Sequence, residues 1–279
     1  MKLLRYKHED AIRPGILDGR GLIRDVSSLV DDWSGDTIQD KNIKKIQETD
    51  INNLPIVDKN ISLAPCLGNI GKFICVGLNY SDHITEMGIT PPKEPVIFMK
   101  ATSAISGPNE DIHIPKNSKK LDWEVELGVF IGKHAKYINE NEASEHIAGF
   151  CVVNDLSERE FQLERSGQWV KGKSCDTFGP IGPYLVTKNE INDIQNLNIW
   201  LELNGKRMQE SSTSKMVFKI NYLISYLSQF MSLHPGDLIS TGTPHGVGIG
   251  RKPEIFLKNN DELRLGIDGL GEQNQKVKI

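Results

Sequence analysis

The chain has 279 residues, of which 38% are hydrophobic and 25% are charged, a composition typical of a globular protein and not of a disordered one. Lysine and arginine number 33 against 37 aspartates and glutamates, giving a formal net charge of -4. This balance does not favour nucleic acid or an anionic membrane as a partner, so a small-molecule ligand is expected.

The sequence also predicts a cytoplasmic location. Its four cysteines form no CxxC pair and lie at no zinc-finger spacing from a histidine, which favours reduced thiols. The first residues contain only a two-leucine apolar patch, too little for a signal peptide. No apolar run reaches the roughly 20 residues that a membrane-spanning helix needs.

Residues 1–64 predict a small, β-rich N-terminal domain. Short apolar stretches alternate with the turn signals Pro14-Gly15 and Asp18-Gly19, as in a meander of strands. Residues 40–49 are polar, with isoleucines at helical spacing, and predict a short surface helix. The proline-containing stretch 52–65 indicates a connection into a second unit.

Residues 65–279 predict a larger, mainly β domain of the α+β class. Apolar runs that alternate with glycine- and proline-containing segments predict strands at 73–76, 96–99, 125–131, 147–153, 199–203 and 238–239. Helical periodicity is clearest at 217–230, where the apolar residues fall on one face.

Two glutamates in the segment WEVELGVFI, residues 123–131, are candidate metal ligands. The two-residue period of a strand places Glu124 and Glu126 on one face and the apolar residues on the other. The alternative is an amphipathic strand whose glutamates face water. If that face is enclosed, the two like charges require a hard cation to neutralise them.

A third carboxylate, Asp155, directly follows the apolar run 147–153 and can close such a site. Its alternative role is to cap a helix that Ser157 and the charged residues after it indicate. Three carboxylates without a nearby histidine or cysteine suit Mg²⁺ or Mn²⁺, with Ca²⁺ as a further candidate, and not zinc.

Two further segments carry groups suited to a reaction site. In residues 73–88, a strand, a glycine turn and a short helix are indicated, and His83 and Glu86 are i, i+3 neighbours on that helix. The carboxylate can then orient the imidazole as a water-activating base, although a solvated surface turn is the alternative. The glycine-rich segment 234–250 allows close backbone approach but matches neither GxxxxGK[ST] nor GxGxxG.

Taken in this order, the segments resemble the fumarylacetoacetate hydrolase family over residues 65–279. Its members share a VGxNYxxH turn, an ExE strand, an ND(L/V)SxR segment, a lysine in a KSxDT-like segment and a closing PGDxIxTGTPxGVG. The resemblance implies a mixed β-sandwich roll behind a small N-terminal domain, in a homodimer that binds a small keto acid.

The resemblance also implies roles for particular residues. The metal ligands would be Glu124, Glu126 and Asp155, the water-activating pair on a mobile lid would be His83 and Glu86, and Lys173 would touch the reacting oxygen, whereas Lys171 fits best as a solvated side chain. The residues that fall where members line the substrate pocket are Tyr80, Lys100, Arg159, Gln162 and Thr243, and Arg159 fits a structural ion pair equally well. Leu78 stands where longer eukaryotic members have an additional aspartate ligand, so three protein ligands are expected.

The implied reaction is metal-dependent hydrolysis of the C3–C4 bond of a small 2,4-dioxo acid to pyruvate and a second acid. The substrate would be an acylpyruvate or a 2,4-diketo-3-deoxy sugar acid, since residues 164–183 look most like a bacterial branch that acts on sugar acids. Decarboxylation of oxaloacetate-like acids, isomerisation of hydroxydienoates and a ureidoglycolate lyase-like activity are alternatives. From another class, the alternative is a non-catalytic binding protein on the same fold.

Overall fold

A computed structural model describes residues 1–58 and 60–279, and in this part of the chain strands greatly outnumber helices. The strands are β1 (Lys2–His8), β2 (Ala11–Leu17), β3 (Ile23–Asp25), β4 (Leu63–Ala64), β5 (Phe73–Gly77), β6 (Val96–Lys100), β7 (Ile105–Ser106), β8 (Ile112–His113), β9 (Leu121–Asp122), β10 (Val125–Ile131), β11 (Ile147–Asn154), β12 (Ser157–Glu158), β13 (Gly179–Thr187), β14 (Asn198–Leu203), β15 (Lys206–Ser212), β16 (Leu238–Ser240), β17 (Glu262–Ile267) and β18 (Gly271–Lys278).

The helices are short. The α-helices are α1 (Asp40–Gln47), α2 (Ser81–Met87), α3 (Val170–Lys173) and α4 (Ile220–Phe230). A π-helix spans Glu160–Glu164, and the 3₁₀ segments are Ile51–Asn53, Thr102–Ala104, Glu140–His146, Lys188–Glu190 and Thr213–Lys215. The described helices include none that is long and apolar enough to cross a bilayer.

The strands form three sheets, which confirms the predicted fold class, α+β and mainly β. The main sheet has 11 strands along the path β3-β2-β1-β13-β11-β10-β16-β5-β6, with β4 paired to β1 and β7 to β13. A second sheet has five strands in the order β15-β14-β17-β18-β8, and β12 and β9 form a two-stranded ladder.

Strand direction in the main sheet brings four chain segments to one edge. Strands β10 and β11 are antiparallel with Val125 opposite Asn154, so the start of β10 lies beside the end of β11. Strand β16 is antiparallel to β10 and parallel to β5, so β16 and β5 both end at the edge where β10 begins. The residues that begin β10 and those that follow β5, β11 and β16 therefore meet.

The largest hydrophobic core lies between the main sheet and the five-stranded sheet. Alternation along β10 directs Val125, Leu127 and Val129 into this core, where they join Leu201 and Leu265 of the second sheet. Helix α4 packs its apolar face on the same core, through residues that lie three and four positions apart, namely Ile220, Leu223, Ile224 and Leu227. The predicted helix at 217–230 is thus confirmed.

The N-terminal strands continue the main sheet. Lys2 of β1 pairs with Val186 of β13, and a second core joins Trp33 and Ile43 to Phe73 and Phe130 on the opposite face of the sheet. The predicted meander and the helix within 40–49 are confirmed by β1–β3 and α1. The domain boundary after residue 64 stays a prediction.

A buried ion pair fastens the turn between β2 and β3. The Asp18 carboxylate accepts hydrogen bonds from the backbone N–H groups of Arg20 and Leu22, each at 2.9 Å, and from Nε of Arg24 at 2.9 Å. Arg24 also donates to the backbone carbonyls of Asn52 and Leu54. Both ionic side chains are thereby satisfied inside the protein.

The predicted helix after residue 155 is wrong in its start and its type. Ser157 and Glu158 form the short strand β12, and the following turn is the π-helix, whose N-cap residue is Arg159. Asp155 therefore caps no helix. Its carboxylate instead accepts hydrogen bonds from buried lysines.

Candidate active site

A cavity of about 210 Å³ opens at the sheet edge where the four segments meet. Its walls come from β5, β6, α2, the start of β10, the residues after β11, the π-helix, α3 and the loop after β16. The lining residues are Val76, Gly77, Leu78, His83, Met87, Ile89, Phe98, Glu124, Glu126, Asp155, Arg159, Gln162, Leu163, Trp169, Lys173, Thr243 and Ile249.

Three carboxylates converge at the floor of this cavity. Glu124, Glu126 and Asp155 each offer one oxygen, and these oxygens lie within 4.8 Å of one another. All three side chains are buried, so the alternative in which the glutamates simply face water is wrong. An all-oxygen set of this kind suits a hard divalent cation, and the buried triad could hold one.

Three cationic side chains surround the carboxylates. Lys173 Nζ lies 2.6 Å from Glu124 Oε2 and 2.7 Å from Asp155 Oδ2, and Lys100 Nζ donates to Asp155 Oδ1. Arg159 bridges Glu124 Oε1 at 2.7 Å and Asp122 Oδ2 at 2.8 Å. Arg159 is therefore an ion-pair partner and a lining residue at the same time.

The nearby positive charges shift the pKa values of Glu124 and Glu126 to different extents, so the two carboxyl groups differ in how easily they ionise. Burial opposes ionisation of Glu124, yet the Arg159 and Lys173 charges outweigh it and hold its pKa below the ordinary range. Burial raises the pKa of Glu126 well above its usual value, and the neighbouring carboxylates of Asp155 and Glu124 add to this. Ionised Glu126 consequently has the greatest need of an added positive charge.

Neutral donors hold Glu126 in place. Its Oε2 accepts hydrogen bonds from Ser240 Oγ at 2.6 Å and from the backbone N–H of Gly242 at 2.9 Å. Gly242 has a φ of +101°, and a Cβ there would lie 2.9 Å from the Val76 carbonyl oxygen, so a larger residue would be strained. These contacts leave Oε1 of Glu126 for a ligand.

Helix α2 places a histidine–glutamate pair beside the carboxylates. His83 Nδ1 lies 2.9 Å from Glu86 Oε2, which confirms the predicted i, i+3 contact. An ionised Glu86 carboxylate can only accept a hydrogen bond, so it favours the His83 tautomer with the proton on Nδ1 and leaves the second ring nitrogen as the proton acceptor available to the cavity. Glu86 is not itself a lining residue.

The glycine-rich loop after β16 anchors α2. Glu86 Oε1 accepts the backbone N–H of Gly246 at 2.8 Å. Asp82, in the first turn of α2, accepts the backbone N–H of His83 and contacts His245 Nδ1 at 3.2 Å. The loop and the helix thus fix the orientation of His83 together.

The predicted substrate contacts divide into two groups. Arg159, Gln162 and Thr243 line the cavity, with Gln162 Oε1 accepting a hydrogen bond from Arg159. Tyr80 and Lys100 are buried outside the lining, Lys100 behind Asp155 and Tyr80 in the main core. Substrate contact by any of the five stays a prediction. Lys171 is exposed, as its sequence context indicates.

Sequence reasoning missed several residues that shape the site. Asp122 is buried and accepts hydrogen bonds from Arg159 and from the backbone N–H groups of Gly248 and Ile249. The two-residue alternation that links it to Glu124 and Glu126 was a usable signal. Ser240 and Trp169 carry no such signal, because only the fold brings them to the cavity.

Fold and site together define a mainly β protein with a candidate oxygen-ligand metal centre in a small-molecule cavity. The chain belongs to the fumarylacetoacetate hydrolase family: the family profile described as Fumarylacetoacetate (FAA) hydrolase C-terminal matches residues 72–278. The site lies within the matched segment.

Individual relatives agree with this assignment. A protein of Burkholderia cenocepacia (strain HI2424) whose name begins "Putative hydrolase" is 53% identical over 100% of this chain and 99% of its own length. The fumarylacetoacetate hydrolase structure from psychrophilic Exiguobacterium antarcticum has a TM-score of 0.88 and 33% identity, covering 100% and 99% of the two chains. The maleylpyruvate hydrolase structure from Sphingobium sp. SYK-6 has a TM-score of 0.84 and 27% identity, with the same coverage.

Proposed function

We propose that this protein is a divalent-metal-dependent hydrolase that cleaves the C3–C4 bond of a small 2,4-dioxo acid, giving pyruvate and a second acid. The observation that carries the proposal is the arrangement of one cavity, in which three buried carboxylates lie beside an oriented histidine and a buried lysine. The structural relative named maleylpyruvate hydrolase supports it, since maleylpyruvate is by its name an acylpyruvate.

The carboxylate triad fits a metal ion on the chemistry of its donors. Glu124, Glu126 and Asp155 would hold Mg²⁺ or Mn²⁺, for which carboxylate oxygens are preferred ligands. When bound, the ion would supply Lewis-acid polarisation and offset the negative charge that develops on the pyruvate fragment. Leu78 contributes no ligand, so substrate or water would complete the coordination.

His83 is suited to activate water. Glu86 accepts a hydrogen bond from Nδ1–H and leaves the other ring nitrogen as a base, which removes a proton from water as the water oxygen adds to C4. The Lys173 ammonium can donate a hydrogen bond to the oxygen that becomes negative on C4. Because burial by itself disfavours a charged lysine but Asp155 and Glu124 lie close, the pKa of Lys173 is raised and it stays protonated.

The bond between C3 and C4 then breaks with its electron pair moving to C3. C4 becomes the carboxyl carbon of the released acid, and the remaining fragment is the enolate of pyruvate. A proton added at C3 completes pyruvate, so one water is consumed for each bond cleaved. The amide Nε2 of Gln162 is not used in its contact with Arg159 and can donate to the substrate.

The proposal is tested by pyruvate release from 2,4-dioxopentanoate, followed with a coupled pyruvate assay. Purified protein should release pyruvate, and the His83→Gln variant should lose most of this activity. The matched control is His134→Gln, because His134 is exposed and lies outside the cavity. The absence of pyruvate release by the metal-supplemented protein, or equal activity in the two variants, would contradict the proposal.

A small keto acid as ligand agrees with the cytoplasmic location that the sequence predicts. The homodimer and the mobility of α2 as a lid also stay predictions.

A further inference from the structure

The cavity has two ends of opposite chemistry. The floor is formed by the carboxylate triad with Lys173 and Arg159. The rest of the lining is dominated by uncharged side chains, which we name the apolar wall: Met87, Ile89, Phe98, Leu163, Trp169 and Ile249. A substrate held at the floor can extend its far end onto this wall.

The apolar wall is held in shape by aromatic packing. Phe98 and Trp169 contact each other edge to face, with ring centroids 5.3 Å apart. Gly77 makes room for the indole, since a Cβ at this position would lie 2.8 Å from Trp169 Cζ3. The wall is therefore a built surface of the cavity and not a chance exposure of single residues.

Among the described residues that line the cavity, the lysine and arginine side chains are Lys173 and Arg159, and neither belongs to the apolar wall. Arg159 and Lys173, which line the cavity, are both paired with carboxylates. Arg251, two residues beyond Ile249, donates to the backbone carbonyls of Met208 and Gly246. Close to Leu163, Arg165 pairs with Glu160.

We infer that the enzyme acts on 2,4-dioxo acids whose C4 acyl group is uncharged and apolar, a conclusion that rests on the proposed function. If the 2-oxo acid end binds at the floor and C4 faces His83, the acyl group extends onto the apolar wall. A second carboxylate there would lose water without gaining a cation. A hydroxylated acyl group, as in a sugar acid, would lose hydrogen bonds to water for few in return.

A matched pair of substrates tests this inference. 2,4-Dioxoheptanoate and 2,4-dioxoheptanedioate share one carbon skeleton and differ only in a methyl or a carboxylate at C7. We expect kcat/KM to be on the order of 10²-fold higher for the first, less than for a fully enclosed site because the wall is partly exposed. A 5,6-dihydroxy derivative of the first should fall on the order of 10-fold below it.

Variants at the wall sharpen the test. Leu163 is 46% exposed, so Leu163→Arg should fold and should raise kcat/KM for the dicarboxylate on the order of tenfold while lowering it for the monocarboxylate. Ile89→Lys, at a position that is 40% exposed, is a second variant with the same expectation. The control is Val170→Arg, which adds the same charge at a position that is 48% exposed and outside the cavity lining.

The outcomes separate this inference from the proposed function. Pyruvate from none of the acids would refute the hydrolase itself. Pyruvate from all of them, with the dicarboxylate or dihydroxy acid used as well as 2,4-dioxoheptanoate, would overturn the inference alone. An equal gain for the dicarboxylate in Val170→Arg and Leu163→Arg would also overturn it, because the wall would then not be the surface that reads the acyl group.

Discussion

Two buried clusters of charged side chains in this protein are built from the same residue types but balanced differently. In the N-terminal region, one buried carboxylate meets one buried guanidinium, and Asp18 and Arg24 complete their hydrogen bonds with nearby backbone groups. The exposed Arg20 guanidinium lies 3.5 Å from Asp18. The charges of the buried pair neutralise each other, and both of its side chains already have hydrogen-bond partners, so it is not suited to bind a ligand. Its role is to fix a turn.

The cluster at the cavity has more acids than bases. Four carboxylates, those of Asp122, Glu124, Glu126 and Asp155, face the three cations Lys100, Arg159 and Lys173. Within the described chain, Glu126 has no ion-pair partner and is held by neutral donors. An excess of buried negative charge, and not burial of charge as such, therefore marks a site for a cation.

The largest expected effect is that of metal removal, which takes away the positive charge that the excess acid requires. Treatment with EDTA should abolish pyruvate release, and added Mg²⁺ or Mn²⁺ should restore it. The measurement is coupled pyruvate formation, with the metal content of each preparation determined in parallel. Full activity in a demonstrably metal-free sample would refute the metal site.

The next effect is that of His83→Ala, which removes the proposed base and leaves the carboxylates in place. We expect kcat for hydrolysis of a 2,4-dioxo acid to fall by a factor on the order of 10² to 10⁴. Any decarboxylation of oxaloacetate should persist better, because that reaction needs no activated water. Inhibition by oxalate should change little.

Parallel kinetics on the two substrates, with oxalate inhibition constants, decide the role of His83. If both activities and oxalate affinity fell together, His83 would position substrate or metal, and its assignment as a base would be wrong. A protein that decarboxylates oxaloacetate but cleaves no dioxo acid would favour the decarboxylase alternative.

Glu126→Gln removes the excess negative charge of the cavity cluster, so it should lower metal affinity without lowering the stability of the metal-free protein. Metal affinity, measured by calorimetry, should fall at least about tenfold because one ligand charge is lost. Since the folded protein raises the pKa of Glu126, this residue stabilises the fold most at low pH and loses that contribution as pH rises through its raised pKa.

The metal-free Glu126→Gln protein should therefore be at least as stable as the unsubstituted metal-free protein at neutral pH. Thermal unfolding of both proteins in EDTA, followed across pH, makes this comparison. A clear loss of stability at neutral pH would show that ionised Glu126 is well compensated, and unchanged metal affinity would remove it from the ligand set.

The smallest effect concerns the balanced cluster. Hydrogen bonds from the Leu22 backbone N–H, the Arg24 side chain and the Arg20 backbone N–H hold the pKa of Asp18 at about 2. The contribution of Asp18 to the stability of the fold is therefore complete above about pH 4 and is lost as pH falls towards 2. Asp18→Asn should lower Tm near neutral pH and flatten this acid limb, with kcat unchanged. Asp36→Asn, at an exposed residue of the same region, is the control. If Tm of the Asp18→Asn variant fell between about pH 4 and pH 2 as steeply as Tm of the unsubstituted protein, Asp18 would not be the source of this pH dependence.

Much of the fold, and the identity of the candidate ligands, could be predicted from the amino-acid sequence. Apolar runs, two-residue alternation and helical spacing are local properties, and they predicted β10, β11 and α4 close to their observed bounds. Motif order likewise predicted that Glu124, Glu126 and Asp155 meet. Local pattern failed after Asp155, where pairing with β9 makes Ser157 part of a strand although the sequence indicates a helix there with Asp155 as its cap.

The surroundings of those ligands could not be predicted in this way, because they depend on tertiary contacts. Whether a glutamate on a strand faces water or a cavity depends on neighbours that are distant in the chain. Ser240, for example, donates a hydrogen bond to Glu126 although the two residues are 114 positions apart. The same holds for the burial of Lys100 behind Asp155 and for the place of Trp169 in the apolar wall. Charge balance and cavity shape are sums over such distant contacts, which strand register fixes and no local segment contains.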